Sequence, residues 1–202
     1  VQLALRTPAI TRTHTEVKCV LDFLLGLQFV RELPTSMQRK LARVCSCVAC
    51  GVGHVICEQG HEPTEFYILM SGTCQVKVKV SGANETKVRI NTIKSGTSFG
   101  ETGLIRNTPR SATILTASPC ELLWVNDVEF KEVGLFDHFE GKLKARVQLL
   151  LRAGIFGSLS PQQMLSLASI ARPMQCERGK VLQRQGALPD ALYILTRGVC
   201  RV

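Results

Sequence analysis

The chain has 202 residues, 45% of them hydrophobic, with 25 lysines and arginines against 16 acidic residues and a formal net charge of +9. That length exceeds one ordinary domain and the apolar content suffices for a core, which excludes a disordered tail. No apolar run approaches the roughly 18 residues of a membrane span, and candidates such as Val147-Gln148-Leu149-Leu150-Leu151 are broken by polar residues. Val1 to Ile10 shows no basic segment followed by an apolar stretch, so no secretory signal is read there. Nine cysteines, an odd number, read as reduced intracellular thiols, and the expected localisation is cytoplasmic.

In chain order, Val17, Val20, Leu21, Leu24 and Leu25 recur at helical spacing and predict a helix from Thr15, read as its cap, to Gly26. A second helix is predicted over Thr35 to Cys45, with Met37, Leu41 and Val44 on one face. From Val52 to Val125, short alternating apolar segments are separated by Gly60, Gly72, Ser81-Gly82-Ala83-Asn84 and Gly96, which predicts antiparallel strands. Trp124 falls in a core strand, and Glu129 to Val133 and Phe139 to Ala153 return to helical spacing. The expected fold is α+β: an antiparallel β-roll or barrel of jelly-roll type, flanked by N- and C-terminal helices.

The basic residues point to no nucleic acid. Lys77, Lys79, Lys87 and Arg89 alternate as on an exposed sheet face, and Lys142, Lys144, Arg146 and Arg152 lie on a helix with no aromatic stacking series. The positive balance suits capture of an anionic ligand or an acidic partner. Cys45, Cys47, Cys50 and Cys57, with His54 and His61 nearby, lack a second Cys-x-x-Cys pair. The cysteines read as small buried hydrophobes, and no metal ligand is expected.

An internal repeat organises the chain. Gly53, Val55, Gln59, Gly60, Tyr67, Ile68, Leu69 and Gly72 are answered by Gly179, Val181, Gln185, Gly186, Tyr193, Ile194, Leu195 and Gly198, always 126 residues on. Leu33, Leu41 and Cys50 pair with Leu159, Leu167 and Cys176 at that offset too. An ungapped repeat of domain length predicts two copies of one module. We expect an N-terminal segment and helix over 1–28, a complete module over 29–154, and the start of a second, truncated copy over 155–202, the whole being a piece of a longer protein.

Phe99-Gly100-Glu101-Thr102-Gly103-Leu104, followed by Arg110-Ser111-Ala112, is the stretch that carries chemistry. Gly100 and Gly103 allow close backbone approach to an anion, and a short helical turn from Glu101 would aim N–H groups at it. Arg110 offers a planar fork for phosphate oxygens, with small residues beside it. Glu101, an acceptor when ionised, suits a sugar hydroxyl. The expected ligand is a phosphate carrying a ribose.

At these residues the chain resembles the cyclic nucleotide-binding domain family, most closely the regulatory subunits of cAMP-dependent protein kinase. The resemblance runs without a gap through Phe99-Gly100-Glu101, Leu104-Ile105 and Thr108-Pro109-Arg110 to Ala112-Thr113. It implies that Glu101 binds the ribose 2′-hydroxyl and Arg110 the cyclic phosphate, and that Gly100, Thr102, Gly103 and Ala112 complete the cradle. Leu104 would be an apolar latch moving with the C-terminal helix. It further implies a sensor, not an enzyme, with cAMP or cGMP as ligand and a kinase catalytic subunit or another effector as partner. Ser111 sits where a hydroxyl residue favours cGMP in related kinases, so the choice of nucleotide stays open. Thr64 stands where the family has an acid that orients the arginine, with Glu65 as substitute; Pro63 replaces a turn glycine, and Gln162 occupies the place of a base-stacking aromatic. Those departures motivate the alternative reading, a degenerate fold serving as a ligand-independent interaction scaffold.

Overall fold

The computed structural model describes residue 5 and residues 7–79, 87–188 and 191–201, with backbone alone for residues 10 and 87–90. The expected turn at 81–84, the side chains of Lys87 and Arg89, and Pro189-Asp190 lie outside the described residues. Two compact units are present, Val1–Phe139 and Glu140–Val202.

In the first unit a 3-10 turn at Ala9–Thr11 precedes helices α1 (His14–Leu24), α2 (Gln28–Arg31) and α3 (Thr35–Val44). Eight strands follow: β1 (Ser46–Cys50), β2 (Val55–Cys57), β3 (Glu65–Ser71), β4 (Thr73–Lys79), β5 (Lys87–Lys94), β6 (Ser98–Phe99), β7 (Thr113–Thr116) and β8 (Cys120–Asn126). Helix α4 (Glu101–Arg106) interrupts them between β6 and β7, and α5 (Asp127–Val133) and the first residues of α6 (Leu135–Arg152) close the unit. The strands form two antiparallel four-stranded sheets, ordered β1-β8-β3-β6 and β2-β7-β4-β5.

The β1-β8-β3-β6 sheet is buried on both faces, and strand alternation divides its side chains between two cores. Phe66 and Ile68 of β3 and Leu123 and Val125 of β8 join Val20, Leu24, Val30, Leu41, Phe130 and Leu135 of the helices. Leu69 and Leu122 turn the other way and meet Cys74, Ile93, Phe99 and Ile114, which fill the space between the sheets. In the helical core, Phe66 lies 5.8 Å from Phe29, 5.2 Å from Phe130 and 5.5 Å from Phe139, measured between ring centroids. Phe139 stacks on both Phe29 and Phe130, so rings from α2, β3, α5 and α6 interlock. Leu5, Val20 and Leu24 belong to this same core, so the N-terminal segment packs with the roll.

Several predicted boundaries move. Helix α1 begins at His14 and is capped by Thr13, whose hydroxyl accepts from Glu16 N–H while Glu16 reaches back to Thr13 N–H. Thr15, expected as the cap, lies inside it, because the reciprocal pair forms two residues earlier. The first strand starts at Ser46 rather than Val52, paired along β8 from Ser46↔Trp124 to Cys50↔Cys120. Helix α6 begins at Leu135 rather than Phe139. Cys45, Cys50, Cys74 and Cys120 are buried, and among the described residues no cluster of metal-ligating side chains occurs.

The second unit contains the rest of α6 and helix α7 (Pro161–Ile170). Leu150, Met164 and Ala168 form its small core, flanked by Leu143, Val147, Phe156, Leu159, Leu167 and Ile194. Helix α7 repeats the span of α3 at the 126-residue offset, from Thr35 to Pro161 and from Val44 to Ile170. Gly53, Gly60 and Gly72 have φ of 79°, 90° and 87°, and their counterparts Gly179, Gly186 and Gly198 have 85°, 79° and 103°. Among the described residues from 171 to 201 no strand forms, and Val181, Leu192 and Leu195 are exposed. Cys176, expected at an apolar strand position like Cys50, is exposed as well, since no neighbouring strand covers it.

Candidate functional site

The site is built on the connection from β6 through α4 to β7. Gly100 precedes α4 with φ of 97°, a left-handed conformation open to glycine, and a side chain there would meet Arg110 Nη1 at 2.8 Å. Asn107 ends α4 with φ of 49°, a conformation asparagine tolerates better than most residues. Arg110 is then fixed from both sides of its backbone: its carbonyl accepts from Gly60 N–H at 2.8 Å and its N–H donates to His61 O at 2.8 Å. Thr113 Oγ1 accepts from Gln59 N–H at 3.1 Å. The Gln59-Gly60 turn thus carries the arginine.

Arg110 is 6% exposed. Its Nη1 donates to Gly100 O at 2.8 Å and its Nη2 to Glu65 O at 2.5 Å. Nη2 also lies 3.9 Å from the Glu65 carboxylate, an ion pair beyond hydrogen-bond reach. The two carbonyl bonds use only part of the guanidinium's fork of donors. Glu65 Oε2 accepts from Thr64 Oγ1 at 2.6 Å and from Tyr67 Oη at 3.3 Å. Burial and the Glu65 carboxylate push the Tyr67 phenol well above its ordinary value, so it stays protonated and serves as a donor. Cys57 Sγ lies 3.9 Å from Ala112 O, its thiol pushed up by burial against the opposing pull of Arg110.

The other expected site residues distribute as follows. Phe99 is buried and stacks on Tyr67 with centroids 5.3 Å apart. Glu101 opens α4, half-buried, and its Oε1 accepts from Thr102 Oγ1 at 3.3 Å. Leu104 packs on the helical core, which Phe136 and Phe139 of α6 also border. Ser111 is exposed and Ala112 half-buried. Gly103, expected in the phosphate cradle, is buried in α4 facing Pro63, whose Cβ would lie 2.8 Å from any added side chain. Space for Pro63 is a reason for glycine here that the linear motif does not carry.

Sequence reasoning also missed the bracing side chain of Gln59, whose Oε1 accepts from Lys79 N–H at 2.6 Å and whose Nε2 donates to Lys79 O at 3.3 Å. Its recurrence as Gln185 was the available signal. A cavity of about 330 Å³ opens between Ala49, Cys50, Gly51, Ser71, Pro119, Cys120 and Glu121 and includes none of the residues of this connection.

Comparison with known proteins gives this arrangement a family. The sequence profile of the cyclic nucleotide-binding domain matches residues 22–134. The cAMP-dependent protein kinase regulatory subunit of Dictyostelium discoideum is 32% identical over 146 residues, 72% of this chain and 44% of that protein. The subunit of Blastocladiella emersonii is 29% identical over 150 residues, 74% of this chain and 36% of that protein. The chain therefore spans less than half the length of these relatives. Among solved structures, the regulatory domain of Toxoplasma gondii PKA with cAMP superposes with a TM-score of 0.56 at 21% identity, covering 64% of this chain and 50% of that one. The regulatory subunit of a cAMP-independent protein kinase A from Trypanosoma cruzi, bound to guanosine, gives 0.57 at 21% identity, covering 74% and 53%. Profile, relatives and fold agree: the chain belongs to the cyclic nucleotide-binding domain family and is similar to the regulatory subunits of cAMP-dependent protein kinase.

Proposed function

We propose that residues 99–112 bind a purine ribose cyclic monophosphate, cAMP or cGMP, and that occupancy is relayed to α6. Arg110 takes the cyclic phosphate with Gly100, Thr102, Gly103 and Ala112, Glu101 takes the ribose 2′-hydroxyl, and Phe99 and Ser111 line the turn. The observation that carries this reading is the near-complete burial of the Arg110 fork on two backbone carbonyls, with further N–H donors in hand. A buried guanidinium placed this way suits a planar, bidentate anion. Leu104 is the relay, since it borders the same core as Phe136 and Phe139. Its shift on binding would bias α6 by as much as the ligand prefers one arrangement over the other. A kinase catalytic subunit or another effector would read the result.

The tandem arrangement, a module over 29–154 and the start of another over 155–202, is part of the same proposal. It is supported by the matching spans of α3 and α7 and the matching left-handed glycines.

Titration of the chain with cAMP, cGMP and guanosine by calorimetry tests the ligand. We expect at least one cyclic nucleotide to bind, with about tenfold or greater loss in Glu101→Gln and in Arg110→Lys, each variant first shown to be folded by a cooperative melting transition. Guanosine binding equal in wild type and Arg110→Lys, with no cyclic nucleotide bound, would replace the phosphate reading by a nucleoside site. No binding by any of the three would leave the scaffold reading, motivated by Thr64 and Gln162.

A further inference from the structure

We propose that Cys74 and Cys120 form a modification site, a thiol pair that a hydroperoxide oxidises to a disulfide fastening the two sheets of the roll together. The pair uses none of residues 99–112, and the proposal does not rest on the nucleotide reading.

Cys74 is the second residue of β4 and Cys120 the first of β8, so the pair joins the β2-β7-β4-β5 sheet to the β1-β8-β3-β6 sheet across the core between them. Their sulfurs lie 3.8 Å apart, although 46 positions separate the residues in the chain. A disulfide closes at about 2.05 Å, so each sulfur has roughly 0.9 Å to travel, a small rotation about its Cα–Cβ bond. The backbone behind the thiols is pinned. Ala117 N–H donates to Thr73 O at 2.8 Å, and Thr73 N–H donates to Ser118 Oγ at 2.9 Å. Two turns hydrogen-bonded to each other therefore hold the sulfurs in contact. Access differs between them. Cys74 is fully buried, and burial together with neighbouring Cys120 pushes its thiol up to about 12. Cys120 borders the cavity of about 330 Å³ with Cys50, Ser71, Pro119 and Glu121, room for a hydroperoxide and several waters at about 30 Å³ per water. Oxidation starts at Cys120. Its sulfur takes the distal peroxide oxygen: the S–O bond forms, the O–O bond breaks, and the thiol proton leaves with the other oxygen as an alcohol, or as water when the oxidant is hydrogen peroxide. Cys74 sulfur then attacks the sulfenic sulfur; the S–S bond forms, the S–O bond breaks, and hydroxide departs with the Cys74 proton as water. The two thiols give up two electrons and the peroxide takes them.

The test uses the whole chain carrying Cys19→Ser, Cys176→Ser and Cys200→Ser, which removes the exposed thiols. Reduced protein is treated with hydrogen peroxide while folded, alkylated, digested and read by non-reducing peptide mass spectrometry. We expect a Cys74–Cys120 cross-link, two hydrogens lighter than the reduced pair and reversed by dithiothreitol, with a rise in Tm of about 10 °C on oxidation. Cys50, which faces Cys120 across β1 and β8, is the competing thiol. Cys50→Ser should leave both readouts intact, and Cys120→Ala should abolish both. In Cys50→Ser/Cys74→Ala the sulfenic acid loses its partners and should advance to the sulfinic acid, Cys120 gaining two oxygens. Absence of the Cys74–Cys120 cross-link, a Cys50–Cys120 cross-link in its place, or a cross-link without a rise in Tm overturns the proposal. The cross-link is read with both cysteines in place, so it decides the matter even where a variant fails to fold.

Discussion

Replacing Gly103 by alanine sets helix propensity against packing at the centre of the site. Within α4 the added methyl would gain about 1 kcal/mol of propensity. Its carbon would lie 2.8 Å from Pro63 Cβ, 3.2 Å from Pro63 Cγ and 3.1 Å from Thr108 O. A proline ring and a backbone carbonyl yield less readily than the end of a flexible side chain. Overpacking costs about 1–3 kcal/mol, and contacts this short with rigid groups belong in its upper part, about 2–3 kcal/mol, leaving a net loss of about 1–2 kcal/mol. In a unit of this size that is a fall in Tm of about 3–10 °C. Scanning calorimetry on Gly103→Ala, Pro63→Gly and the double variant isolates the contact. Without the ring most of the penalty disappears, giving a coupling energy of about 1 kcal/mol or more. Equal penalties in both backgrounds, or a higher Tm for Gly103→Ala alone, would refute the reasoning.

Cys45 makes stability fall in alkali. Burial pushes its thiol up to about 11, whereas the unfolded chain releases the same proton near about 8.5, so folding loses about 3 kcal/mol as pH rises between those values. Cys45→Ala should flatten the decline of Tm over that window, and an unchanged slope would count against it. Gly72, at φ of 87°, faces the Pro119 carbonyl and stands where an added Cβ would lie 2.7 Å from Cys120 Sγ. Gly72→Ala should therefore cost about 3 kcal/mol or more through strain and overpacking together. Chemical denaturation within about 0.5 kcal/mol of wild type would contradict that placement.

The roll was legible because its strands alternate and its turns carry glycine, and because Leu41 and Phe130 mark the helices that cover it. Helix α2, only four residues long, is too short to show a period. Strand β1, Ser-Cys-Val-Ala-Cys, escaped because its small residues acquire a pattern only once Cys50 faces Cys120. At the site, Glu101 and Arg110 could be picked out from a linear motif. The acceptors of Arg110 could not, since both hydrogen-bonded oxygens are main-chain atoms, which leave no signature in residue type. The contact of Pro63 with Gly103 joins residues forty positions apart, and only folding brings it into view.

The ring lattice of Phe29, Phe66, Phe130 and Phe139 has a consequence for how a signal would leave the roll. Close-packed aromatic plates offer few compromise positions, because sliding one by a fraction of its width exchanges contact for collision. A helix that contributes one plate holds its seat or gives it up in a single step, as bistable elements do. Through such a gearing, graded occupancy would emerge as a count of switched molecules rather than as a partial displacement of each.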